Sequence, residues 1–142
     1  MHSSVASNTL RVGDVAHQSG LPTKTVRYYD NIGLLTPTVM RSPSGYRLFS
    51  TDVLNRLAFI KQAQSLGLSL DEIRQVLQVR DRGELPCGEV RQYLEVKVAA
   101  ITAQIQALEA LRNELQGVLS GWDDEPSGDR LSRTICPNLQ KS

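Results

Sequence analysis

The chain has 142 residues, a formal net charge of +1 and 40% hydrophobic residues, which suits one domain with an appended helix. No apolar run approaches membrane-spanning length, and the N-terminus lacks the basic-then-apolar pattern of a secretory signal. We therefore expect a cytoplasmic protein that makes no membrane contact, and its two cysteines are not expected to form a structural disulfide.

The small net charge hides an asymmetry between the two halves of the chain. Residues 1–80 contain nine Lys and Arg against five Asp and Glu, whereas residues 81–142 contain seven against ten. A basic half is typical of proteins that bind nucleic acid, because each contact with a phosphate needs a cation. Since the excess of positive charge is modest, it favours a dimer with two basic heads over a monomer with one.

The first predicted element, after a loosely attached segment at 1–9, is a helix-turn-helix. A short amphipathic helix at 12–19 is followed by a turn at 20–23 and by a second helix through Asp30. Gly33 fits the left-handed residue that ends a helix. Two short helices joined by a tight turn place the second helix in the major groove of DNA. The side chains predicted to meet phosphates or base edges are Lys24, Thr25, Arg27 and Tyr28.

Tyr28 and Tyr29 are adjacent aromatic residues with two possible roles. Both can be core residues, but neighbours on a helix point about 100° apart, so one can be buried while the other reaches DNA. We predict that Tyr28 is the DNA contact. Arg27 can be a solvated charge, and its place on the second helix favours DNA contact instead.

A small hairpin, or wing, is predicted next. Turn signals at 36–37 and 41–45 flank two short stretches, Val39–Met40 and Tyr46–Phe49. Arg47 in this hairpin is predicted to clamp a phosphate, with Tyr46 packed beneath it at the DNA interface.

Two further helices follow the hairpin. Arg56 and Lys61 lie off the apolar face of the third helix and are additional candidates for DNA contact. The fourth helix begins with a capping box, in which Ser69 and Glu72 reciprocally satisfy backbone donors. The predicted apolar face of the third helix consists of Val53, Leu54, Leu57, Ile60 and Leu66.

One long helix is predicted from about Gly88 to Leu119. Apolar residues recur there at steps of three and four, a near-heptad stripe that favours a dimerising two-stranded coiled coil. The alternative is a helix folded back on the preceding domain, but that small domain offers little surface for so long a stripe. The stripe consists of Val90, Leu94, Val98, Ile101, Ile105, Leu108, Leu111, Leu115 and Val118.

Four sequence blocks precede the long helix in a fixed order. They are Arg27–Tyr29, Gly33–Leu35, Arg41 with Gly45–Phe49, and Leu66–Ile73. In this order and at these separations they resemble the MerR family of transcription regulators. The resemblance runs from Val12 to about Leu119.

The resemblance implies a mainly α protein with a winged helix-turn-helix DNA-binding head, a long C-terminal dimerisation helix that forms an antiparallel coiled coil, and a short sensor tail. We accordingly expect a flexible N-terminus at 1–9, a DNA-binding domain at 10–80, a hinge and dimerisation helix at 81–119, and an effector-sensing loop at 120–142.

The resemblance also implies a mechanism. A homodimer sits on double-stranded promoter DNA with or without its inducer, and inducer binding changes the twist and bend of the DNA. This change repositions the promoter elements for RNA polymerase. Part of the sequence specificity is then expected to come from DNA deformability.

Cys87 precedes the long helix and Cys136 follows it. In the antiparallel dimer that the resemblance implies, Cys87 of one protomer faces the partner's Cys136. In metal-sensing members of the family, a Cys before the dimer helix goes with a response to divalent ions, and the pair Cys136–Pro137 also resembles those sensors. The resemblance therefore implies a divalent metal effector, and zinc, cadmium, lead and cobalt are compatible with such a donor set.

The chain departs from those sensors at one position. They usually carry another Cys near the positions of Trp122 or Asp123, and this chain has none there. Either the site is not a metal site of that type, or an oxygen ligand is supplied by Asp123, Asp124, Glu125 or Asp129.

Two alternatives use the same cysteines. Cys87 and Cys136 can form a thiol-based sensor of oxidants or electrophiles on the same scaffold. Each cysteine can also be a small apolar residue with no chemical role.

Other functional classes are disfavoured. The sequence contains no nucleophile–base pairing, glycine-rich phosphate cradle or HExxH metal box, so we do not expect an enzyme. A drug-responsive regulator is disfavoured because residues 120–142 are too few to form a separate ligand-binding domain.

Overall fold

The computed structural model describes residues 9–140. The chain divides into two compact units, which we call the head unit (Met1–Glu95) and the tail unit (Val96–Ser142). In chain order the elements are β1 (Thr9–Leu10), α1 (Val12–Ser19), α2 (Thr23–Asn31), a 3-10 turn (Thr36–Thr38), β2 (Val39–Arg41), β3 (Arg47–Ser50), α3 (Asp52–Ser65), α4 (Leu70–Asp81), α5 (Cys87–Ser120) and α6 (Gly128–Leu131).

Helices α1 and α2 form the predicted helix-turn-helix. Gly20, between them, has a φ of 75°, in the left-handed region where glycine is favoured over residues with a Cβ. The chain leaves α2 through Gly33, with a φ of 85°, and the Leu34 N–H donates to the Tyr29 carbonyl at 2.9 Å. This is a Schellman end, as the sequence predicted at Gly33.

The wing is part of a three-stranded antiparallel sheet in the order β1-β3-β2. Phe49 on the central strand pairs with Leu10 on one side and with Val39 on the other. The Ser42 N–H donates to the Tyr46 carbonyl at 2.9 Å and closes the hairpin turn. The predicted hairpin is confirmed, and β1 adds a strand that protects its edge. Residues 1–8 of the predicted N-terminal segment lie outside the described residues, and Thr9 belongs to β1.

A single apolar core fixes the head unit. It lies where α1 and α2 meet the inner faces of β3, α3 and α4. Burial of these side chains is the main stabilising term, because apolar surface removed from water contributes roughly 25 cal/mol per Å². The largest fully buried side chains are Phe49, Leu34, Leu35, Leu57, Ile60, Ile73, Val15, Val26, Val53 and Val76.

Helices α3 and α4 pack into this core. Ser69 accepts a hydrogen bond from the Glu72 N–H at 3.1 Å, and Glu72 accepts one from the Ser69 N–H at 2.9 Å, so the predicted capping box is confirmed. Leu66 was predicted on the apolar face of α3, but it lies beyond the end of the helix and is 52% exposed. Leu68, held by a bond from its N–H to the Ala63 carbonyl, takes the buried position instead.

Helix α5 has 34 residues and therefore a length of about 51 Å at 1.5 Å per residue. Its bounds agree with the predicted long helix to within one residue at each end. The stripe residues Val98, Ile101, Ile105, Leu108, Leu111 and Leu115 are each at least half exposed in the single chain. None of the helices between residues 9 and 140 has the length and hydropathy that a membrane span requires.

Candidate DNA interface and effector site

Helix α2 has one face buried in the core and one face exposed to solvent. Val26 and Tyr29 are buried, and the Tyr29 hydroxyl donates to Gln64 Oε1 at 2.8 Å. Arg27 and Tyr28 follow on the outer face, where Tyr28 is 50% exposed. The structure therefore places Tyr28, and not Tyr29, where a ligand can reach it.

The outer face of α2 also carries Lys24, which is exposed, and Thr25, which is half-buried. These two residues belong to the first turn, where the free backbone N–H groups and the helix dipole favour an anion. The outer face of α2 thus presents two cations, a hydroxyl and an aromatic ring in less than two helical turns. This is the chemistry that phosphate and base-edge contacts require.

Tyr46 stands on the wing turn, 43% exposed. Its partner is Arg11 and not the predicted Arg47. The Arg11 guanidinium lies 4.4 Å from the centroid of the Tyr46 ring, and its Nη2 donates to the Tyr46 hydroxyl at 3.0 Å. The chain just before α1 thereby holds the wing turn in place.

Arg47, which the sequence predicts as a phosphate clamp, lies in an intramolecular network. Its Nε donates to Asp30 Oδ2 at 2.6 Å, and its Nη2 donates to Asn31 Oδ1 at 2.7 Å. The side chains of Arg47 and Asp30 are only 17% and 13% exposed. Arg47 therefore fixes β3 of the wing to the last turn of α2, and its charge is largely used within the protein.

Arg56 is also hydrogen-bonded to other residues of the head unit. Its Nε donates to the Leu34 carbonyl, and its two terminal nitrogens donate to both oxygens of Asp81 at 2.7 and 2.9 Å. All three guanidinium nitrogens of Arg56 are therefore engaged within the head unit, so we do not propose Arg56 as a DNA contact. Lys61, the other candidate on α3, is exposed and lines a groove with Gln18 and Ser19 of α1.

Cys87 is the first residue of α5 and is exposed. The start of this helix belongs to the head unit. Leu94 and Tyr93 pack against the head core, and the Tyr93 hydroxyl bonds to Gln75 Oε1 of α4. The Cys87 thiol is therefore accessible but fixed at the junction between α4 and α5.

Cys136 lies in a loop that turns back to the end of α5. The Asn138 side chain accepts a bond from the Asp123 N–H at 2.7 Å and donates to the Asp123 carbonyl at 2.9 Å. Gln140 Oε1 accepts bonds from the N–H groups of Ile135 and Cys136, at 2.7 and 3.0 Å. Cys136, a half-buried free thiol, is thus held two residues from a buried clamp on the helix end.

The carboxylates proposed as extra ligands lie beside this clamp. Asp123 Oδ1 accepts the Glu125 N–H at 3.0 Å, and Asp124 is exposed. Within residues 9–140 of one chain, no three His, Cys, Asp or Glu side chains come together as metal ligands. A thiol and nearby carboxylates suit zinc or a softer divalent ion, but a complete donor set needs a second source of ligands.

Sequence reasoning missed several residues that position the interface. Asp30 and Asn31 bind Arg47, Arg11 binds Tyr46, and Arg74 donates to the Ile32 carbonyl at 2.6 Å. Each of these pairs joins residues that are far apart in the chain. Spacing and periodicity, which report neighbours on one helix or strand, contain no signal for them.

Comparisons with known proteins identify the family. A family model described as MerR HTH family regulatory protein matches residues 10–79, and one described as MerR, DNA binding matches residues 54–118. The HTH-type transcriptional regulator HmrR of Rhizobium leguminosarum bv. viciae is 34% identical over 132 residues, covering 93% of this chain and 96% of the relative. The mercuric resistance operon regulatory protein of Bacillus cereus is 36% identical, covering 74% of this chain and 79% of the relative.

A solved structure gives the same result. The transcription regulator PbrR691 from Ralstonia metallidurans CH34, in complex with lead(II), superposes with a TM-score of 0.67 at 36% identity, covering 83% of this chain and 91% of that one. The predicted fold class is confirmed. The chain belongs to the MerR family of helix-turn-helix transcriptional regulators, and is a DNA-binding regulatory protein and not an enzyme.

Proposed function

We propose that this protein is a homodimeric promoter-binding regulator whose effector is a thiophilic divalent metal ion held by Cys87 and Cys136. The observation that carries the proposal is the placement of the two free thiols. One is exposed at the first residue of α5, and the other is clamped beside the last turn of the same helix. If two such helices pair antiparallel, each Cys87 meets the partner's Cys136.

The exposed stripe of α5 supports the dimer. Six regularly spaced apolar side chains, each at least half exposed, form a seam about 25 Å long between Val98 and Leu115. Exposed apolar area of this extent marks an interaction surface, and a second copy offers the matching stripe. Leu131, Ile135 and Leu139 of the tail are also exposed and add apolar surface to the tail unit.

The proposed DNA interface consists mainly of α2 and the wing. We propose that Lys24, Thr25, Arg27 and Tyr28 meet the major groove and its phosphates, with Tyr46 on the wing and Lys61 on α3 as flanking contacts. Two heads in one dimer then bind two half-sites related by the molecular two-fold axis.

The lead(II) complex of PbrR691 and the name of the Bacillus cereus relative support a metal effector for this chain. Zinc, cadmium, lead and cobalt are our candidates, with Asp123 or Asp124 completing the thiolate set. To act on transcription at the promoter, where RNA polymerase reads the altered DNA, the ion must bind more tightly to the activating conformation of the dimer than to the repressing one.

Complementation between cysteine variants tests the proposal. We expect the reduced dimer to bind lead(II) or cobalt(II) stoichiometrically, and Cys87→Ser and Cys136→Ser to abolish binding. A heterodimer of the two variants, isolated with two affinity tags, retains one intact intersubunit site and should recover half of the wild-type capacity, about one ion per dimer. A heterodimer that binds nothing, while the wild type binds tightly, contradicts a site shared between protomers.

A thiol-based sensor of oxidants or electrophiles is the second candidate. The accessibility of both free thiols, and the lack of a third ligand in the described part of one chain, favour it. In that case the reduced dimer binds none of the four ions. The sensed oxidant takes up two electrons and two protons as Cys87 and the partner's Cys136 form a disulfide. Non-reducing electrophoresis then shows a covalent dimer for the oxidised wild type but no Cys87–Cys136 link in either single variant, and ion binding by the reduced wild type separates the two candidates.

A further inference from the structure

The loop that follows α2, which we call the recognition helix for its proposed contact with DNA, is held by two arginines. This loop, Ile32–Leu34, follows directly after α2. Arg74 of α4 donates from Nη2 to the Ile32 carbonyl at 2.6 Å, and Arg56 of α3 donates from Nε to the Leu34 carbonyl. Because the Leu34 side chain is fully buried, these bonds fix where α2 ends relative to the core.

The two arginines also pair with carboxylates at opposite ends of α4. Arg74 pairs with Asp71, in the first turn of α4, at 3.1 Å. Arg56 pairs with Asp81, the last residue of α4, through two bonds of 2.7 and 2.9 Å. Residues 82–86, which we call the hinge segment, separate Asp81 from Cys87. Of the two arginine pairs, the Arg56 pair is the one that connects the loop after α2 to the end of α4, next to the hinge segment.

The Arg56 bridge is also the more rigid of the two. All three nitrogens of its planar guanidinium are engaged, so Arg56 cannot follow Asp81 without disturbing its bond to Leu34. Its side chain is 10% exposed and that of Asp81 32%, against 37% and 84% for Arg74 and Asp71. Low exposure and two-pronged geometry make the Arg56–Asp81 bond strong and directional.

A groove open to solvent lies next to this bridge. It has a volume of about 550 Å³ and is lined by Arg56 and Asp81, by Leu85 and Pro86 of the hinge segment, and by Thr38 of the 3-10 turn. A rearrangement of side chains needs free space that a close-packed interior does not have, and the groove supplies that space on one side of the bridge. The groove extends from the hinge segment to the 3-10 turn that follows α2.

We infer that Arg56 and Asp81 are positioning residues that couple the hinge segment to the recognition helix. A displacement of the hinge segment moves Asp81, Asp81 moves the Arg56 guanidinium, and the guanidinium shifts the Leu34 carbonyl at the end of α2. This inference deepens the proposed function and depends on it only for the nature of the effector at Cys87.

Coupling between two sites is reciprocal, so it can be measured without the effector. If α2 and the hinge segment are coupled, DNA binding at α2 must alter the hinge segment. The probe is a DNA duplex that the wild-type protein selects from a random-sequence pool. The measurement is amide hydrogen exchange of residues 82–87 in the full-length dimer, with and without saturating duplex.

In the wild type we expect DNA to change exchange in the hinge segment by about fivefold or more, the lower end of typical coupling between two sites. Asp81→Asn removes the charged link to Arg56 and should abolish this change. Asp71→Asn is the matched control, because it breaks the pair of the other arginine on the same loop and should leave the change intact. Equal responses in the two variants, or no response in the wild type, overturn the inference.

The Arg56→Lys variant tests whether a lost response reflects lost coupling or a folding defect. Lysine keeps the positive charge but cannot contact Leu34 and both oxygens of Asp81 together, so it should also lose the response while the dimer keeps its thermal transition. If Arg56 has a purely structural role, the variant should melt at a lower temperature and keep the DNA-induced change in exchange. That result would contradict coupling. Addition of the candidate metal ions separates the two proposals. A wild type that binds none of zinc, cadmium, lead(II) and cobalt(II) but shows the DNA response refutes the metal effector and supports the coupling.

Discussion

At the residue scale, the head unit divides its arginines between two tasks. Arg27 is exposed on α2, whereas Arg47 and Arg56 use their donors on Asp30, Asn31, Asp81 and a backbone carbonyl. In the proposed interface, an arginine with engaged donors stabilises the surface, and one with free donors is available to contact DNA. We therefore expect substitution at Arg47 to reduce stability as well as affinity, and substitution at Arg27 to reduce affinity alone.

Arg27→Ala should weaken operator binding by about tenfold, because a contact of an arginine with a base edge contributes about 1–3 kcal/mol. The slope of log affinity against log salt should fall by about one per protomer if the lost contact is with a phosphate. Fluorescence anisotropy across a salt series measures both. Arg112→Ala, on an exposed part of α5, is the control and should bind like the wild type; unchanged binding by Arg27→Ala would remove Arg27 from the interface.

In the tail unit, Asn138 holds the loop that contains Cys136. Asn138→Ala removes both hydrogen bonds to the Asp123 backbone and leaves a backbone N–H without its partner, at a cost of about 1–3 kcal/mol. We expect faster tryptic cleavage after Arg130 and Arg133 and weaker binding of lead(II). Asn113→Ala, in the exposed part of α5, should change neither, and a tail as resistant as the wild type would show that the clamp is dispensable.

At the element scale, local signals fix where helices begin and end. The capping box at Ser69 and Glu72 starts α4, and glycines with positive φ end α2 and α4. These signals act between residues three to five positions apart, which is why they can be identified from the sequence.

Ser69→Ala should lower the free energy of unfolding by about 1 kcal/mol, the typical contribution of an N-cap side chain. Urea unfolding at fixed protein concentration, followed by circular dichroism, gives this value. Ser65→Ala provides the comparison, because the Ser65 hydroxyl only donates to a carbonyl within α3. If both variants lose the same stability, the capping box has no special role.

At the scale of the whole molecule, α5 determines the oligomeric state. Its stripe is exposed in one chain, and the proposed coiled coil with a second copy would bury it. Since folding and association are then linked, the melting temperature should rise with protein concentration.

Leu108→Glu should weaken the dimer by roughly a hundredfold or more, because an unpaired carboxylate in the seam costs several kcal/mol. Sedimentation equilibrium measures the dissociation constant. Gln106→Glu introduces the same charge two residues earlier, off the stripe, and should leave the dimer intact. A Leu108→Glu protein that remains a dimer at micromolar concentration would place the dimer contact elsewhere.

The sequence alone determined the helix-turn-helix, the wing hairpin, the capping box and the long helix, because each depends on periodicity or on contacts between near neighbours. It also separated Tyr28 from Tyr29 and located one thiol before the long helix and the other after it. Only the tertiary structure decided the roles of Arg11, Arg47 and Arg56. Their partners lie 16 to 35 residues away, and the energy of such a bond depends on burial and geometry that no local pattern records. For the same reason, the sequence did not predict the clamp between Asn138 and Asp123, which holds Cys136 beside the end of α5.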